Sequence, residues 1–138
     1  MGKAGGRYSG LWQRLLISIP GKPVDTLTSV EWLQGPSLFV DLRQPMGGLA
    51  GQEAFAGQFR LSGDRAEWLR EIDYRPTGLP DRGRLEDQGE LLIEHGLEAD
   101  YIEYWQREAG TVEHVWATRL RAKDGLDEAI LVRCGNRF

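Results

Sequence analysis

The chain is short of several things, and each shortage excludes something. No apolar run is long: Leu15-Leu16-Ile17 is typical of what there is, far below the roughly 18 residues of a membrane-spanning helix. No apolar stretch of signal-peptide type follows the basic start Met1-Gly2-Lys3-Ala4-Gly5-Gly6-Arg7. There is a single cysteine, Cys134, which excludes an intrachain disulfide and a cysteine zinc site. Its neighbours Leu131 and Val132 point to a buried, inert thiol, and a reducing cytoplasmic setting fits. Histidine is limited to His95 and His114, a poor supply for a metal centre. Lysine is limited to Lys3, Lys22 and Lys123 against fourteen arginines. That bias has two readings, an arginine-rich codon usage or guanidinium chemistry toward carboxylates and aromatic faces. With 17 basic and 21 acidic side chains the formal net charge is −4, so the basic footprint of a nucleic-acid binder is missing. Phosphate-binding loops and a serine nucleophile elbow are absent as motifs.

What is present is turn chemistry and short extended runs. The 138 residues include 18 glycines and six prolines, and 41% of the residues are hydrophobic, enough for one core. Extended runs fall at 8–19, 28–34, 38–43, 55–61, 66–74, 91–94, 101–107, 112–120 and 128–134, with 84–87 a further short one. Pro20-Gly21, Gly35-Pro36, Gly63, Gly89, Gly96, Gly110 and Asp124-Gly125 punctuate them. One short helix over 49–55, after two glycines, is the sole helical candidate. Without βαβ alternation the pattern predicts an all-β single domain over 1–138, its first six or so residues flexible. The expected architecture is an antiparallel up-and-down β-barrel of about nine strands.

Strand alternation then assigns faces. Phe39, Asp41 and Arg43 share one; so do Ala66, Trp68, Arg70, Ile72 and Tyr74; so do Tyr101, Glu103, Trp105 and Arg107; so do Val112, His114, Trp116, Thr118 and Leu120. Aromatic and charged side chains therefore share faces, which a dry sandwich core disfavours and an amphipathic barrel interior accommodates.

Gly10-Leu11-Trp12 on the first strand resembles the G-x-W signature that opens lipocalins and related calycin barrels. The resemblance implies a Trp12 that closes the barrel floor under a stacked arginine, for which Arg119, Arg121 and Arg133 are candidates. It also implies a ligand in the barrel. The family's Thr-Asp-Tyr motif is not reproduced, Ile72-Asp73-Tyr74 lying too early, and the Arg-x-Tyr carboxylate clamp and lid helices of fatty-acid-binding proteins are missing.

The functional expectation is an intracellular, cofactor-free barrel that binds a small hydrophobic or amphipathic ligand. Its apolar part would lie on Trp68, Trp105 and Trp116, and a polar or carboxylate end would meet Arg43, Tyr101, Glu103 or His114. The alternatives are a hydrolase or isomerase using Glu103 or His114 as acid or base, and an interaction module with a filled core. Asp41, Glu53, Asp73, Asp81, Glu94 and Glu103 make up the acidic inventory, with Glu103 the best candidate for a perturbed acid, or else the partner of an interior Arg43 or Arg70. Gly135-Asn136 is two-residue hairpin chemistry. It predicts a last strand that is truncated, plugged by Phe138 or frayed, and an unpaired edge open to homodimer formation.

Overall fold

The computed structural model describes residues 6–46 and 51–138. A 3-10 turn, Gly6–Tyr8, leads into ten strands: β1 (Gly10–Ser18), β2 (Ser29–Gln34), β3 (Leu38–Gln44), β4 (Glu53–Ser62), β5 (Arg65–Asp73), β6 (Asp81–Gln88), β7 (Leu91–Gly96), β8 (Ile102–Arg107), β9 (Trp116–Arg121) and β10 (Glu128–Arg133). Strands β1 to β8 pair antiparallel in chain order, and β8 pairs back onto β1 to close an up-and-down barrel. The all-β barrel expected from the turn spacing is therefore present, with eight strands in the wall and β9–β10 as a separate two-stranded sheet. That hairpin sits on the outside of β2 and β3. It fits because Gly35 carries no side chain: a Cβ there would lie 2.8 Å from the Ala117 Cβ. Of the helix expected over 49–55, residues 49 and 50 lie outside the described residues, and the rest is a turn running into β4.

The core is aromatic from the floor upward. Trp12, Trp32, Phe39, Phe59, Trp68 and Trp105 are all nearly or fully buried. Trp32 is the hub: it stacks on Trp12 at 5.8 Å and meets Trp68 and Trp105 edge-on at 5.4 and 5.6 Å, arrangements the ring quadrupoles favour. Its indole N–H is satisfied by Gln34 Oε1 (3.0 Å), whose amide donates to the Gly35 carbonyl.

Trp12 is fully buried, and its Nε1–H donates to the Tyr8 carbonyl at 2.8 Å. A guanidinium does lie over its ring, at 4.7 Å, but it belongs to Arg107 rather than to Arg119, Arg121 or Arg133. The reason is topological: Arg107 is the cross-strand partner of Trp12 on β8, while the other three arginines belong to the outer hairpin. Gly10 has φ 135°, and a Cβ there would stand 2.9 Å from Arg107 Cδ. Glycine at that position makes room for the arginine stem, and this is the physical content of the Gly-x-Trp pattern.

Two irregularities re-aim side chains. Glu71 is an extra residue in β5 opposite Ala56 and Gly57. Ala66, Trp68 and Arg70 keep their inward face, but beyond the bulge the order inverts, leaving Ile72 and Tyr74 exposed. Leu15 plays the same part in β1. At the far end, Cys134 and Arg137 pair around Gly135-Asn136, as the hairpin chemistry predicts. Phe138 is 80% exposed and plugs nothing. Cys134 is buried, its thiol against the Gln34 carbonyl, and burial pushes its pKa up to about 11.

Candidate functional site

Above the aromatic layers, at the end away from Trp12, the barrel interior turns from apolar to charged. The alternation that sends Phe39 inward also sends Asp41 and Arg43, and the one that sends Trp105 inward sends Glu103. Three ion pairs result. Arg14 on β1 meets Glu103 at 2.9 Å, Arg43 meets Asp41 at 3.0 Å, and Arg70 on β5 meets Asp81 at 2.8 Å. Arg70 also approaches Asp73 at 3.5 Å and lies 3.5 Å over the Phe55 ring.

A fourth carboxyl has no cation of its own among the described residues. Glu94 on β7 is the direct cross-strand neighbour of Glu103 on β8, and it accepts a hydrogen bond from the Tyr101 hydroxyl at 2.5 Å. Space for this pair is carved from the wall by two glycines that are themselves cross-strand partners. A Cβ on Gly83 would stand 2.7 Å from the Glu94 side chain, and one on Gly96 would stand 2.6 Å from the Tyr101 ring.

Burial sets the electrostatics. Asp41, Glu94 and Glu103 are 3–4% exposed. Desolvation raises the Glu94 pKa well above the usual carboxylate range, and the Glu103 charge beside it pushes the same way. Glu103 is raised by burial against the opposing pull of Arg43 and Arg14. Asp41 is likewise raised by burial, with Arg43 opposing. Burial alone would lower the Arg43 pKa, but Asp41 and Glu103 more than reverse that. Tyr101 is raised by burial and by Glu94, so its phenol stays protonated. Glu94 therefore holds its proton more tightly than an ordinary carboxyl, beside a Glu103 that is paired with Arg14.

Between the rings and the charges lies a cavity of about 10 Å³, lined by Trp32, Asp41, Arg43, Phe55, Trp105 and their neighbours. That is room for about one water molecule. The tryptophans therefore fill the barrel rather than ring a large hollow. Trp105 lines the cavity, is 2% exposed, and has an indole N–H with no acceptor among the described residues.

Of the residues singled out from the sequence, Arg43, Trp68, Glu103 and Trp105 meet around this cavity, with Tyr101 at its rim through Glu94. His114 and Trp116 do not. His114 sits in the exposed 112–115 bend with φ 53°, and Trp116 opens the outer strand β9, 42% exposed. The alternating run 112–120 is a strand only from Trp116, and it lies outside the barrel, so its faces never address the interior. Arg14 escaped notice, although it alternates with Trp12. Glu94 stood only in the acidic inventory, although it alternates with Leu92. Among the described residues no group of three or more His, Cys, Asp or Glu side chains is placed to hold a metal ion. No helix among them is long and apolar enough to cross a membrane.

The fold and this interior define an antiparallel, closed eight-stranded barrel with a charged end. No protein-family model matches the chain, and no curated protein does. Among solved structures it is similar to an uncharacterized protein from Bacteroides eggerthii, at 12% identity and a TM-score of 0.55 over 73% of this chain and 99% of that one. This is a likeness of fold.

Proposed function

We propose that the chain is a lipocalin-like binding protein of a reducing, cytoplasmic compartment that takes a small amphipathic molecule at the charged end of its barrel. The observation that carries this reading is the cavity lined by Arg43, Glu94, Glu103 and Trp105, the last with a buried N–H that has no acceptor among the described residues. A buried donor left unpaired costs roughly 1–3 kcal/mol, and a ligand oxygen seated there would recover it. Native mass spectrometry of protein purified from its own host tests the reading: a retained small molecule supports it, and bare protein from several growth conditions counts against it. Quenching of tryptophan fluorescence by added hydrophobic probes reads the same site, since Trp68 and Trp105 border it.

A second reading is an enzyme on the same barrel. The facing Glu94 and Glu103, one with a pKa raised by burial and the other paired with Arg14, favour it. Glu94 would then donate a proton and Glu103 would accept one. Turnover that survives in both Glu94→Gln and Glu103→Gln would eliminate this reading.

A further inference from the structure

The barrel wall is not equally tight all round. Strands β5 and β6 pair only where Arg65 through Trp68 face Arg84 through Asp81. Beyond Trp68, β5 runs on to Asp73 while the chain leaves the sheet through 74–80 and re-enters at Asp81. The strands separate there, and a groove of about 500 Å³ lies along the opening. Its size falls within the ~300–1,000 Å³ of small-molecule sites. Pro76, Leu79 and Pro80 form one apolar side, and Leu79 is 64% exposed.

Trp68 and Asp81 line both this groove and the interior cavity. Arg70 crosses the gap between them, bonded to Asp81 and seated over Phe55. Groove and cavity thus share two lining residues, with the Arg70–Asp81 pair between them.

The chemistry of the inner half restricts what enters. Arg14, Arg43 and Arg70 each already hold a carboxylate, at 2.9, 3.0 and 2.8 Å. Glu94 is occupied by a neutral phenol. With each guanidinium already paired, a carboxylate brought in would find no free cation, and an ammonium could be met only by Glu94, whose raised pKa resists ionisation. The unmet need is for a neutral group: an acceptor for the Trp105 N–H that can also donate to a neighbouring carboxylate oxygen. A hydroxyl does both and fits a space the size of a water.

We propose that the opening between β5 and β6 is the ligand entrance, and that the ligand is an uncharged aliphatic alcohol. Its hydroxyl takes the cavity at Trp105 and its tail lies in the groove along Leu79. This rests on the binding reading above and narrows the polar or carboxylate end expected from the sequence to a neutral, polar one.

The test compares 1-octanol, octanoate and octylamine at neutral pH, titrated into the full chain with tryptophan fluorescence as the readout. Saturable binding of 1-octanol, with octanoate and octylamine weaker by about tenfold or more, is the expected result. Trp105→Phe keeps a ring and removes the donor, and should weaken 1-octanol about fivefold. Leu79→Arg lies on an exposed segment, leaves the interior untouched, and should weaken all tail contacts. Near-ultraviolet circular dichroism establishes that both variants are folded. Tighter binding of octanoate or octylamine overturns the neutral head while leaving the binding reading intact. Octanol binding unchanged in Leu79→Arg overturns the entrance. No saturable signal from any probe overturns the inference, and retention of a molecule in native mass spectrometry still decides the binding reading separately.

Discussion

Thr111 shows how a single hydroxyl ties the closing turn after β8 to the floor of the barrel. The Leu11 N–H donates to its Oγ1 at 3.0 Å, and the same hydroxyl donates to the Glu108 carbonyl at 2.7 Å. The residue is 2% exposed. Thr111→Val keeps the shape and orphans both backbone groups, so it should cost about 1–3 kcal/mol by urea unfolding; a loss within error of zero would mean that water replaces the hydroxyl. Arg107 acts beside it, over Trp12 and bonded to the Ser9 carbonyl and to Glu90. Arg107→Lys keeps the charge but loses the planar fork, and a destabilisation of about 1 kcal/mol is expected.

At the scale of the strand, Gly57 decides whether the β5 bulge can exist. A Cβ there would lie 1.8 Å from the Leu69 carbonyl oxygen, which is backbone and cannot step aside. Gly57→Ala should therefore cost more than about 3 kcal/mol, or abolish folding, whereas Gly63→Ala meets no neighbour and is limited to the strain of its positive φ. Thermal melts of the two variants make the comparison. The same bulge marks where strand alternation stops being readable. Ala66, Trp68 and Arg70 follow the period-two rule into the core, but nothing in Arg70-Glu71-Ile72 announces an extra residue, so Ile72 and Tyr74 fall on the wrong face. Turn residues made all ten strands visible, because glycine and asparagine chemistry is local. Which strands close the wall is not local. Trp116 and Arg119 look as core-like in sequence as Trp105 and Arg107, and only the seating of β9–β10 on Gly35 separates them. The candidate site was legible to the extent that it follows alternation, as for Arg43, Glu103 and Trp105. Alternation also sends Arg14 and Glu94 inward, but only cross-strand register, which the sequence does not show, sets Glu94 opposite Glu103 and Arg14 opposite Trp105.

For the whole molecule, the buried acids give stability an unusual pH dependence. Glu94, Glu103 and Asp41 hold their protons more tightly folded than unfolded, because burial raises each one. A carboxyl raised on folding contributes fully below its unfolded value, about 4 for Asp and Glu. That contribution is lost as pH rises through the folded value. Asp25 and Glu71 are lowered by hydrogen bonds and act in the opposite sense below that range, but Asp25 is half-buried and Glu71 exposed at the surface, so both are screened. Tm should accordingly fall as the pH is raised from mildly acidic toward neutral. Glu94→Gln should flatten the slope, since an amide can keep a bond to the Tyr101 hydroxyl but cannot ionise. A wild-type Tm that climbs steadily to neutral pH would contradict this.

The seam between β1 and β8 carries a consequence for the path to this structure. It joins Trp12 to Arg107 and Ser18 to Ile102, positions separated by most of the chain, so the barrel cannot close until seven hairpin pairings are already in place or forming. High contact order of this kind places refolding in the millisecond-to-second regime. Until the seam forms, β1 and β8 each present an open backbone edge, able to capture the matching strand of a neighbouring chain. Refolding yield should therefore drop steeply with protein concentration while the finished barrel stays monodisperse. Stopped-flow tryptophan fluorescence at several protein concentrations would resolve that competition.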